Sequence, residues 1–315
     1  TSASDLVTIE DDAPEDDNSN LEELSDQPTL VTLSTSGLLG RRSPNEEFTA
    51  KPGRHDVIAR SLETSGFSVI SAVTDQGRVL SVRAREIPEM VRGSRGASVT
   101  EMFSLSRGEK VVGLFGDGSD PVILITRNGV AKRLEADALK RLRSGSSAIN
   151  LKGDDRVASA FVASEDSEIV MVASDGQALR TAANGISLQG PGAGGVAGMK
   201  LKPGSNVMAA GIVEFGAAVV VISDEGAIKA TDVAEIPAKG RATGGVRTVK
   251  WRDFETTASF GWVGRSHQLA AIVADAGDEK KPAGAPVPLS LELTRRDGMT
   301  STSEDRVMLI GEYRL

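Results

Sequence analysis

One pattern, a short apolar run closed by a glycine turn, returns five times along this chain. The copies are TLVTLSTSGLLGRR (29–42), FSVISAVTDQGRVLSVRAREIPE (67–89), DPVILITRNGVAKR (120–133), SEIVMVASDGQALRTA (167–182) and AAVVVISDEGAIKATDVAEIP (217–237). The turn glycines Gly37, Gly77, Gly129, Gly176 and Gly226 stand 40, 52, 47 and 50 residues apart. Pairs such as Asn128-Gly129 permit the positive φ angles that tight hairpins need. A single hairpin says little. Five with the same flanks and a near-constant period define a repeat, and a repeat constrains the fold more than any local propensity does.

A second element follows each hairpin. It is rich in glycine and mostly basic: KPGRHDVI (51–58), VRGSRGASV (91–99), KRLRSGSSAI (140–149), QGPGAGGVAGMK (189–200) and AKGRATGGVRTV (238–249). A polar turn and a further apolar strand come next, as in LSRGEKVVGLF (105–115), LKGDDRVASAFV (151–162) and LKPGSNVMAAGIV (201–213). Each repeat therefore reads as four strands, and four strands per unit of this length are the footprint of a propeller-like array. Aromatic residues make up only 3% of the chain, so the core must be aliphatic, which suits strands. No helical period competes; EADALKRL (135–142) can add one helical turn to a loop. The expected fold is all-β, with five four-stranded blades and a less regular sixth over residues 266–315. In that portion 275–288 reads as a polar, proline-rich loop, and the sixth hairpin turn is expected at Asp297-Gly298.

The formal charge of -8 conceals an uneven distribution. Residues 1–28 hold ten acids and no Lys or Arg, leaving 36 basic against 34 acidic residues in 29–315. An acidic disordered linker thus precedes a nearly neutral β body, and it can compete with external anions for basic surfaces. No stretch is apolar over the roughly 18 residues a membrane span needs, and the N-terminal residues lack the pattern of a signal peptide. With no Cys and only His55 and His267, no metal site or Ser-His-Asp arrangement can be argued. GPGAGGVAGMK lacks the Gly-Lys-Ser/Thr ending of a phosphate-binding loop. No cofactor is expected.

The sequences ILITRNGVAKR, GRATGGVRTV and LKPGSNVMAAGIV resemble the C-terminal domain of the A subunit of bacterial type IIA topoisomerases, DNA gyrase and topoisomerase IV. The resemblance covers residues 29–265 well and 266–315 weakly, and segment 1–28 resembles the linker that precedes this domain. It implies a β-pinwheel, a propeller-like disc whose blades exchange strands, which binds duplex DNA and bends it around a basic rim. It also implies a monomeric domain in the bacterial cytoplasm, at the nucleoid. Its partners would be the same subunit's catalytic core and the ATPase B subunit. The DNA-cleaving tyrosine of the family lies in another domain; Tyr313, the single Tyr here, is in no such context, so this chain is not expected to cleave DNA. The family's gyrases carry a QRRGGKG box in the first repeat. The corresponding TAKPGRHDV (49–57) keeps Lys51, Gly53 and Arg54 but neither the arginine pair nor the double glycine. This departure favours a topoisomerase IV-like subunit over a gyrase.

Rows of cations can hold rows of phosphates without reading sequence. The candidate DNA contacts are Arg41, Arg42, Lys51 and Arg54 in the first repeat, and Arg83, Arg85, Arg92 and Arg95 in the second. Lys132, Arg133, Lys140, Arg141 and Arg143 serve the third, and Lys229, Lys239, Arg241, Arg247 and Lys250 the fifth. The fourth offers only Arg180, Lys200 and Lys202 beside an uncharged loop, so DNA contact is expected to weaken there. The competing class is a propeller that binds proteins on a flat face; the cations recurring at one phase of the repeat speak against it.

Overall fold

The computed structural model describes residues 26–45, 55–91, 94, 96–302 and 304–312. The first repeat supplies β1 (Pro28–Ser34), β2 (Leu38–Arg42) and β3 (Ile58–Ser65), and the second β4 (Val69–Thr74), β5 (Val79–Arg83), β6 (Ala97–Ser98) and β7 (Val111–Phe115). The third gives β8 (Val122–Thr126), β9 (Val130–Leu134) and β10 (Val157–Val162). The fourth gives β11 (Glu168–Ala173), β12 (Gln177–Ala182), β13 (Val196–Ala197) and β14 (Val207–Ile212). The fifth gives β15 (Ala217–Ser223), β16 (Ile228–Asp232), β17 (Val246–Arg247) and β18 (Ala258–Arg265). Last come β19 (Leu269–Asp275), β20 (Asp278–Pro282), β21 (Val287–Leu289) and β22 (Val307–Glu312).

Within each blade the first strand of the repeat lies between its hairpin partner and the last strand, all antiparallel. It is covered on both faces: every residue of β8 and of β15 is buried, which is why VILIT and AAVVVIS are continuous apolar runs rather than alternating ones. Where the last strand meets the end of the first, the register slips in all six blades, at Leu33/Ser34, Val73/Thr74, Val157/Ser159, Val172/Ala173, Ile222/Ser223 and Ile272/Val273. Such bulges sharpen the local twist.

The third strand of a repeat does not join its own blade. β6 pairs with β2, β13 with β9, and β17 with β12, each one blade back. Ser147 bridges Arg78, and Ser301 bridges Ile228, in the same sense. The hairpin glycines receive these visitors: Gly37, Gly77, Gly129 and Gly176 accept through their carbonyls from Val99, Ala148, Met199 and Thr248 N–H at 2.8–2.9 Å. All five turn glycines have φ between +75° and +82°.

The core is divided among the blade junctions. Successive residues of one strand serve opposite neighbours: Ile169 and Met171 pack toward Ile123 and Ile125, whereas Val170 and Val172 pack toward Val219 and Val221. The last junction is thin among the described residues, with Val57, Ala270 and Ile272 buried and Leu309 against them. There Glu312 of β22 pairs with Ile58 of β3, joining the first and last blades in one sheet.

The sixth hairpin differs from expectation. It is formed by β19 and β20, turning at Ala276-Gly277, which is 51 residues after Gly226 and restores the period. β20 reads DEKKP and is largely exposed, so it lacks the apolar pattern by which a strand is recognised. Asp297-Gly298 instead belongs to the loop that returns to blade five, where Lys250 N–H donates to Gly298 O at 2.8 Å. A short helix, Ala136–Lys140, supplies the expected helical turn. The acidic segment falls outside the described residues up to position 25.

At Gly129 a Cβ would stand 2.4 Å from Met199 O on a backbone at φ +82°. Gly129→Ala is expected to cost about 2–4 kcal/mol in urea unfolding. Gly190→Ala, with open space around the glycine, should stay within about 0.5 kcal/mol.

Candidate nucleic-acid interface

Strand exchange carries the described glycine-rich loops of the third, fourth and fifth repeats along the outer edge of the ring, from one blade to the preceding one. The cations expected to meet DNA divide into two populations on this frame.

One population is built into the joints. Lys132 is wholly buried, and its Nζ donates to Ala148 O, Pro191 O and Ala193 O at 2.7, 2.9 and 2.8 Å. Lys229 is buried as well, donating to Thr231 Oγ1 at 2.7 Å and to Ala230 O and Thr294 O at 3.2 and 3.4 Å. Each ammonium sits three residues after its turn glycine, where the visiting loop covers the hairpin and presents its carbonyls. Burial lowers both pKa values to about 8; at Lys229, Glu235 and Asp297 pull the other way. Lys132 and Lys229 are therefore not rim contacts, contrary to the sequence reading.

The next position along the hairpin is also structural. Arg41 Nε donates to Ile87 O at 2.8 Å, and Arg180 Nη1 reaches Val233 O and Ile236 O at 3.4 and 3.5 Å while its Nε binds Glu168 at 2.9 Å. Ile87 and Ile236 each follow a 3-10 turn of the next repeat, Ala84–Glu86 and Val233–Glu235. Arg133 occupies the same place in blade three: it is buried, bridges Leu188, and accepts from Gln189 N–H at 2.9 Å through its carbonyl. Its Nε is without a hydrogen-bond partner. Arg42 is buried too. Arg41, Arg133 and Arg180 serve inter-blade packing rather than an exposed rim, because the exchanged segment lies over the strand that carries them.

The second population is exposed: Arg83, Arg85, Arg141, Arg143, Lys239, Arg241, Arg247 and Lys250. Arg241 is exposed but pinned, donating to Gly185 O and Ala197 O at 2.8 and 3.0 Å, and Lys239 Nζ reaches Gly245 O at 3.2 Å. Lys140 is half-buried against Asp117 O at 3.0 Å. Lys51, Arg54, Arg92 and Arg95 lie outside the described residues. The sequence reading missed the sixth member of the series: in LTRRDGMT, Arg295 is exposed and Arg296 donates to Arg247 O at 3.1 Å. Its signal was the basic Arg-Arg-Asp-Gly run, which the displaced sixth turn obscured. Also missed was Arg78, held by the buried carboxylate of Glu109 at 2.9 Å through Nε. Burial alone would raise the Glu109 pKa, but hydrogen bonds from Arg78, Thr74 and the Ser106 N–H outweigh it and hold the group at about 2. No group of His, Cys, Asp and Glu among the described residues could hold a metal, and no described helix is long and apolar enough to cross a membrane.

A ring of blades that exchange their outer strands and carry cations on the exchanged loops is a β-pinwheel. The chain belongs to the DNA gyrase C-terminal domain, beta-propeller family, whose model matches residues 70–115, 120–164, 167–214 and 217–254. The four segments coincide with repeats two to five. The DNA gyrase A subunit of Aminobacterium colombiense is 33% identical over 211 residues, which are 62% of this chain and 24% of that protein. Its Escherichia coli counterpart is 28% identical over 199 residues, 58% of this chain and 23% of the relative. The chain thus spans about a quarter of these relatives' length. Among solved structures, the C-terminal domain of DNA topoisomerase IV superposes with a TM-score of 0.75 at 21% identity, over 91% of this chain and 94% of that one. A DNA gyrase A C-terminal domain gives 0.64 at 18%, over 91% and 100%.

The buried lysines make a pH prediction. Unfolded, Lys132 has the ordinary value of 10.5; folded, it has about 8. Between these values the unfolded chain binds more protons, so stability rises with pH. In urea unfolding, wild type should gain on Lys132→Met between pH 8 and pH 10; a constant difference would contradict the assignment.

Proposed function

We propose that this chain binds duplex DNA without reading its sequence and bends it along the outer edge of the ring, as part of a type IIA topoisomerase A subunit. The observation that carries this reading is the recurrence of exposed cations on the exchanged loops of the third, fifth and sixth repeats: Arg141 and Arg143, then Lys239, Arg241, Arg247 and Lys250, then Arg295. Arg83 and Arg85 extend the series to the second repeat. Smoothly bending a short duplex by 40–90° costs on the order of 1–6 kcal/mol, so several blades must contribute contacts. The fourth repeat contributes least. Its loop carbonyls Pro191 O and Ala193 O are directed at Lys132, and the Gln189 side chain accepts from Gly195 N–H at 3.0 Å. The DNA path is weakest at that loop.

In this reading the protein partners are the same subunit's catalytic core and the ATPase subunit, and strand cleavage belongs to the core. The first-repeat segment 49–57, without the arginine and glycine pairs of the gyrase box, favours a topoisomerase IV-like subunit. The gyrase alternative is favoured by the named sequence relatives, which are gyrase A subunits. Relaxing and resealing circular DNA with the chain bound separates the two: trapped positive writhe, the sense of wrapping that strand passage converts into negative supercoils, supports gyrase, and bending without trapped writhe supports topoisomerase IV.

Multisite phosphate binding predicts a linear fall of log affinity with log salt, with a slope near -0.9 per phosphate contacted. Replacing Arg143, Arg247 and Lys250 together by Gln should lower that slope by about 0.9 for each lost contact, with little change in stability. No shift of a random-sequence duplex at low salt would overturn the reading in favour of a protein-binding propeller.

A further inference from the structure

The six inner strands do not fill the middle of the ring. They surround an axial cavity of about 530 Å3, to which β3, β7, β10, β14, β18 and β22 all contribute. Its wall is mostly apolar, with Ala158, Met208, Trp262 and Leu309 among its members. Arg60 of β3 lines the same space.

A guanidinium in apolar surroundings is costly unless its charge is met. Arg60 Nε donates to Val112 O at 3.3 Å and Nη1 to Ala59 O at 2.7 Å. Both acceptors are neutral main-chain oxygens, and neither engages Nη2. Burial lowers the Arg60 pKa, and the attraction of Glu312 on β22 offsets only part of this. The terminal Nη1–Nη2 edge is the face of a guanidinium that grips a carboxylate or phosphate with two parallel hydrogen bonds. Glu109, paired with Arg78, and Lys110 line the cavity as well, and cavities of several hundred cubic ångströms with mostly apolar walls and a few fixed polar groups are the usual form of a small-ligand site.

We propose that the axial cavity binds a small amphipathic organic anion, its acidic head on Arg60 and its apolar body along the inner strands. Octanoate is a suitable probe, with 1-octanol and inorganic phosphate isolating the tail and the head. In titration calorimetry on the 315-residue chain, octanoate should bind saturably with one site, and each control at least about tenfold more weakly. Arg60→Met should weaken octanoate by about 10–100-fold, the range expected for a charge-assisted hydrogen bond, and leave octanol unchanged. Arg60→Lys should retain part of the affinity. Location has its own readout: 8-bromooctanoate should quench tryptophan fluorescence in wild type and lose most of that effect in Trp262→Phe. This keeps the test decisive if Arg60→Met fails to fold. Absence of saturable octanoate binding, equal binding by folded Arg60→Met, or quenching that persists in Trp262→Phe would each overturn the proposal. DNA binding plays no part in these measurements.

Discussion

The hydrogen bond from a visiting strand to the carbonyl of a hairpin glycine is the interaction on which the ring depends. It is made by Gly37, Gly77, Gly129 and Gly176 with residues of the following repeat. It requires a turn with positive φ, which explains the glycine, and at Gly129 a close approach of two backbones, which excludes a Cβ. At Gly176 an added Cβ would meet the visiting side chain, Val249 Cγ1, at 2.3 Å. Each hairpin thus serves as the docking site of its successor, and the blades cannot be assembled independently of one another.

The same arrangement sorts the cations. A strand that receives a visitor has side chains under that visitor, and a long basic side chain there meets main-chain oxygens rather than water. Lys132 and Lys229 are the clearest cases, and Arg41 and Arg180 follow one residue later in their hairpins. Arg141, Arg143, Lys239, Arg241, Arg247 and Lys250 are left to solvent on the visiting loops themselves. Charge therefore does two jobs in adjacent positions: it ties the joint from inside and decorates it from outside.

The hairpin period, the all-strand composition and the four-strand repeat were legible in the sequence, because turn chemistry and apolar runs are local signals. The sixth hairpin was hidden, since β20 is charged and exposed and only its distance from Gly226 marks it. The division of the cations could not be read from local sequence. Nothing in VAKR distinguishes Lys132, which is enclosed by carbonyls from two later segments, from Arg143, which faces solvent; the difference lies in where residues 191–193 come to rest.

Exchange also puts the unit of sequence out of phase with the unit of structure. A repeat counted from one hairpin to the next contains most of one blade and the outer edge of another. Cutting the gene at a repeat boundary would strip the preceding blade of its outer strand. It would also leave the cut repeat's own third strand with no hairpin to dock on. Units of this kind can be duplicated without penalty only in the interior of the series, where each copy inherits a neighbour on both sides. The two ends are the exceptions, and in this chain they meet at the thin junction of Val57, Ala270 and Ile272.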